Sequence, residues 1–92
     1  MEIKYDLNKC ERNIRERGLS FERISDFDFE SAWYVEDQRR NYGETRWRAL
    51  GYLDGRLHAL VFTLEGEVLR VISLRRANRR EVKRHEAAKN QA

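Results

Sequence analysis

Residues 46–76, RWRALGYLDGRLHALVFTLEGEVLRVISLRR, decide the fold. Trp47, Ala49, Gly51 and Leu53 alternate with Arg46, Arg48, Leu50 and Tyr52, the two-residue period of a strand. Asp54-Gly55 then signals a tight hairpin, because the two-residue turn that matches strand twist needs positive φ at both positions. The following run, RLHALVFTL (56–64), is apolar on both faces through its centre, which marks an interior strand. Glu65-Gly66-Glu67 makes a second turn, and VLRVISL (68–74) is another strand. Upstream, SAWYVED (31–37) reads as one more, joined to the hairpin by the polar loop QRRNYGE (38–44). The expectation is an antiparallel meander of about four strands.

Both flanks carry helical signals. IKYD (3–6) is a short alternating segment, predicted as an edge strand. Asp6 or Asn8 can cap a helix over 7–18, in which Leu7, Cys10 and Ile14 recur at helical spacing and Gly18 is placed to end it. Ser20 caps a second short helix whose apolar positions are Phe21, Ile24 and Phe27. From Ala77 to Gln91 the chain is proline-free and rich in helix formers. The predicted class is α+β: a short N-terminal strand, two N-terminal helices, the meander sheet and a C-terminal basic helix. At 92 residues the chain has room for one domain, 1–92, with a modest core.

Charge is abundant and uneven. Charged residues make up 38% and hydrophobic residues 40%, ten of them aromatic, a content that argues against disorder. Residues 1–45 hold eight Lys/Arg and eleven Asp/Glu, for a net −3; residues 46–92 hold eleven and five, for +6. An acidic half beside an arginine-rich half suggests two surfaces, one suited to a polyanion. A single cysteine, Cys10, excludes an internal disulfide and fits a reducing compartment. With neither a leader pattern nor a long apolar run, the expected location is the cytoplasm. No Cys/His cluster has metal-ligand spacing and the glycines form no phosphate loop, so no cofactor is expected.

Positive charge peaks at 70–86, where seven of seventeen side chains are Lys or Arg. Simple alternation puts Arg70 on one face of its strand and Arg75 on the other. If the helix begins near residue 76, then Arg76, Arg79, Arg80, Lys83 and Arg84 share one of its faces. A solvated helix face explains such a stripe, and so does a surface for nucleic acid or an acidic protein. Metal-free RNA cleavage needs a base for the 2′-hydroxyl proton, cations for the charge developing on phosphorus, and an acid for the leaving oxygen. Arg70 and Arg75 are candidates for the cations; Glu44, Glu65, His58 and His85 are candidates for proton transfer. Glu44 and Arg46, two residues apart, point to one side of their strand. A structural ion pair is the alternative reading for them, and a surface or packing role is the alternative for each histidine.

Taken together, several segments resemble the BrnT family of bacterial type II toxins. They are Tyr5-Asp6, Lys9, Asn13 and Gly18-Leu19-Ser20-Phe21-Glu22; then Gly43, Glu44, Arg46 and Gly51; then Arg70 to Ala77 ahead of a basic helix containing Glu81. The order holds from about residue 3 to residue 86. The resemblance implies a RelE-like fold and a metal-independent ribonuclease that halts translation. It also implies a BrnA-like ribbon-helix-helix antitoxin, with operator DNA bound only through that partner and no membrane. Carried over, Glu44, Arg46, Arg70 and Arg75 fall on family motif positions. His85 stands where the basic helix of the family carries an aromatic. The competing reading is a weak or inactive module of the same fold that binds RNA or only its antitoxin.

Overall fold

A computed structural model describes residues 1–90; the expected helix end at Gln91 and the last residue of the domain lie outside the described residues. The elements are β1 (Glu2–Lys4), α1 (Leu7–Arg17), a 3-10 helix (Phe21–Asp26), β2 (Trp33–Glu36), β3 (Trp47–Leu53), β4 (Arg56–Glu65), β5 (Val68–Arg76) and α2 (Arg79–Asn90). All five strands join one sheet in the order β1-β5-β4-β3-β2. β2 to β5 form the antiparallel meander, and β1 adds a parallel edge to β5. β4 is the central strand, which is why its run Ala59–Thr63 is buried on both faces.

Both N-terminal helical expectations change here. The second N-terminal helix is a 3-10 helix. Phe21, Ile24 and Phe27 are spaced by three, and three residues per turn stacks all of them on one side, where all are buried. In α1, Leu7 and Ile14 are exposed, and the buried positions are Cys10 and Asn13. Asn13 turns inward because its Nδ2 donates to the Leu19 and Leu74 carbonyls, both at 2.9 Å. That side chain thereby ties α1 to β5 and to the turn after the helix.

One sheet face carries the core. Cys10, Phe21, Ile24 and Phe27 pack on Ala49, Leu53, Leu60, Phe62, Leu69, Val71 and Leu74. Each large side chain buried here contributes roughly 1.5–3 kcal/mol. Phe27 comes so close to β3 that a Cβ on Gly51 would lie 2.5 Å from its ring. The β3–β4 turn has φ of 53° at Asp54 and 75° at Gly55, the paired positive values its sequence predicts.

The ladder between β4 and β5 is irregular. Val61 pairs with Ser73 and Phe62 with Val71, so Ile72 is an extra residue in β5. A bulge resets the alternation. Leu69, Val71 and Leu74 therefore all reach the core, and Arg70 and Arg75 emerge together on the opposite face. Simple alternation had separated them.

Candidate nucleic-acid interface

The face opposite the core is organised by register. Continuing the β3–β4 ladder one step before Trp47 sets Arg46 beside Thr63, and Thr63 pairs with Arg70, which pairs in turn with Lys4. A second row runs Val35, Arg48, Val61, Ser73, and a third Trp33, Leu50, Ala59, Arg75. Rows on one face lie about 7 Å apart along the strands. α2 covers the sheet from the third row onward: Glu81 meets Arg75, and the His85 ring packs edge-on against Tyr52 at 5.5 Å. The first two rows stay outside that helix, and they hold Arg46, Arg48, Arg70 and Lys4.

Arg75 is held firmly. Its Nη1 and Nη2 donate to the two oxygens of the buried Glu81 at 2.6 and 2.8 Å. Glu81 also accepts from the Asn78 amide at 2.9 Å, while Asn78 Oδ1 accepts from the Glu81 amide at 2.9 Å, a reciprocal cap on α2. The Arg75 hydrogen bonds hold the Glu81 carboxyl below its ordinary range, helped by the Asn78 amide and by the charges of Arg75 and Arg48. Hydrogen bonding to Glu81 raises Arg75 in turn, opposed by burial and by the nearby Arg39 guanidinium.

The loop between β2 and β3 adds a second anchored cation. Asp37 is buried and binds Arg39 through both oxygens at 2.8 Å, with Tyr42 Oη donating at 3.3 Å. These bonds, led by the Arg39 side chain, lower the Asp37 carboxyl to about 2. The Arg46 guanidinium stacks 4.0 Å above the Tyr42 ring, and Arg46 Nε lies 3.4 Å from Glu44 Oε1. The loop folds back because the Asp37 amide donates to the Arg46 carbonyl at 2.7 Å. Arg39 thus extends the cationic face toward Arg75.

The residues expected at a site sort into three groups. Glu44 and Arg46 lie in the loop that leads into β3 and not on the strand itself; they stand with Arg70 at one end of the open face, and Glu65 joins them, 3.6 Å from Arg70. Arg75 is on the same face two rows away, roughly 14 Å along the strand. His85 is elsewhere: it is buried between α2 and the sheet, so it anchors the helix. His58 is buried, with Nδ1 2.8 Å from the Arg56 carbonyl oxygen. Arg76 ends β5 and does not lie on the helix. Arg79, Arg80, Lys83 and Arg84 are exposed on the solvent side of α2, where they supply field at longer range.

Arg39, Arg48, Asp37, Thr63 and Glu81 were given no site role from the sequence. Only Glu81 had a local signal, the Asn78-x-x-Glu81 capping pattern. The others depend on cross-strand register and on a loop that folds back.

A small α+β fold that keeps one half-open sheet face for arginines, with carboxylates at its margin, has the charge distribution that attracts a polyanion. Residues 5–81 match the family model described as the ribonuclease toxin, BrnT, of type II toxin-antitoxin system, and the chain belongs to that family. A comparison with curated proteins returns no match. As a toxin of such a system it has an antitoxin as partner. No helix among the described residues is long and apolar enough to cross a membrane.

Proposed function

We propose that this chain is a metal-independent endoribonuclease of RelE-like fold that cleaves RNA on the open sheet face and thereby stops translation. In this reading a BrnA-like ribbon-helix-helix antitoxin neutralises it in the cytoplasm and carries the complex to operator DNA. The observation that supports it most is the gathering of Glu44, Arg46, Glu65 and Arg70 at one end of that face.

The reacting phosphate sits between Arg46 and Arg70. Glu44 takes the proton of the 2′-hydroxyl, and the 2′ oxygen attacks the adjacent phosphorus. Arg46 and Arg70 balance the charge that builds on the non-bridging oxygens. The phosphorus–5′-oxygen bond then breaks, leaving a 2′,3′-cyclic phosphate, and the proton held by Glu44 passes to the departing 5′ oxygen. Glu65 holds Arg70 in the absence of substrate. Arg75, locked by Glu81 two rows away, grips a neighbouring phosphate, with Arg39 beside it. Arg76, Arg79, Arg80, Lys83 and Arg84 steer RNA to the face.

The test is growth of cells expressing the chain without an antitoxin. Arg70→Ala and Arg75→Ala each relieve the arrest, and the arrest returns when the arginine is restored. Arrest undiminished by either change removes those residues from the mechanism. A second reading, an RNA- or antitoxin-binding module without chemistry, draws support from the burial of His85, which takes one proton-transfer candidate off the face. That reading predicts no arrest by the unmutated chain.

A further inference from the structure

Two buried side-chain polar atoms among the described residues have no hydrogen-bond partner, Arg46 Nε and Thr63 Oγ1. They belong to neighbouring positions of one row. Thr63 is 2% exposed and sits on the β4 face that turns away from the core, paired with Arg70 of β5 and one step beyond the Phe62–Trp47 pair, where the chain leads back to Arg46. Arg46 Nε lies within 3.4 Å of Glu44 but at an angle that makes no hydrogen bond.

An unpaired buried polar group is costly and calls for a cause. Both atoms can donate, and Arg46 Nε can do nothing else. Arg46 Nε lacks an acceptor, and one acceptor group could satisfy the Thr63 hydroxyl as well. An oxygen-rich anion held between two guanidinium groups is the ligand chemistry that satisfies all of them together.

We propose that Thr63 is a substrate-binding residue: its hydroxyl, with Arg46 Nε and the Arg70 guanidinium, seats one backbone phosphate of RNA. This rests on the open face being the RNA-binding face, and it assigns the position of the phosphate to the first row. Arg70 is 60% exposed at its side chain and pairs with Glu65 only at 3.6 Å. A phosphate competes with Glu65 for that guanidinium, on the strand position paired with Thr63.

The decisive variant is Thr63→Val, which removes the hydroxyl and keeps the shape. Binding is measured with a short single-stranded RNA carrying 2′-O-methyl groups, so that affinity is read whether or not the chain cleaves. Thr63→Val weakens that binding about tenfold, the loss of one hydrogen bond to a charged group. It leaves the salt dependence unchanged because no charge is removed. Arg70→Ala weakens binding too, and lowers the slope of log affinity against log salt by about 0.7. Thermal unfolding is the control: Thr63→Val melts at or above the parent temperature, since it removes a buried hydroxyl without a partner.

Equal affinity of Thr63→Val and parent overturns the proposal, and so does a lower melting temperature, which would show the hydroxyl bonded within the fold. RNA bound tightly and never cleaved defeats the ribonuclease reading while leaving this one standing. Failure of the parent chain to bind RNA defeats both.

Discussion

Replacing Glu81 by Gln keeps the size of the side chain and removes the charge opposite Arg75. Breaking a fully buried pair by removing one member costs roughly 3–5 kcal/mol. Here the Arg75 side chain is 29% exposed, so water recovers part of the loss, and about 2 kcal/mol is the expected cost at neutral pH. For a chain of this length each kcal/mol shifts the melting temperature by about 4–8 °C, so Glu81→Gln should melt about 10 °C lower. The pH dependence has a definite sign. The folded carboxyl titrates below the ordinary glutamate value of 4.5. Its contribution is therefore complete above that value and is lost as pH falls through the depressed folded pKa. The gap between parent and variant narrows on acidification below about pH 4.5. Urea unfolding of both proteins from pH 7 down to pH 3 measures it. A gap under about 0.5 kcal/mol at pH 7, or one unchanged at pH 3, refutes the reasoning.

Three further outcomes follow from the same contacts. Gly51→Ala drives a methyl into the Phe27 ring and costs about 1–3 kcal/mol in urea unfolding; Phe27→Leu in the same chain recovers part of it. Asp37→Asn loses the Arg39 clamp, whose carboxyl is lowered to about 2. It destabilises by about 1–2 kcal/mol at pH 7, a difference that disappears as pH falls from the ordinary aspartate value toward 2, followed by circular dichroism. Asn13→Ala frees the Leu19 and Leu74 carbonyls and costs about 2 kcal/mol, with faster hydrogen exchange where α1 meets β5.

Much of the architecture was legible because it rests on local chemistry. The two-sided apolar run of β4 marked it as interior, Asp54-Gly55 marked the hairpin, and Asp6 and Gly18 marked the ends of α1. Arg70 and Arg75 were legible as candidates but not as residues of one face, because a single inserted residue, Ile72, reverses the alternation after it. Thr63 was assigned no role from the sequence. Its position between two arginines exists only after three strands have paired. His85 follows Arg84 in sequence, but successive helical residues point about 100° apart, and here Arg84 is exposed while His85 packs on the sheet.

Incubating the purified chain with end-labelled RNA in excess EDTA tests the central claim most directly. The account predicts cleavage that persists without metal, fragments ending in 2′,3′-cyclic phosphate, and loss of activity in Glu44→Gln and Arg70→Ala. RNA that stays intact under conditions where it binds, or cleavage that stops when metal is chelated, would contradict it.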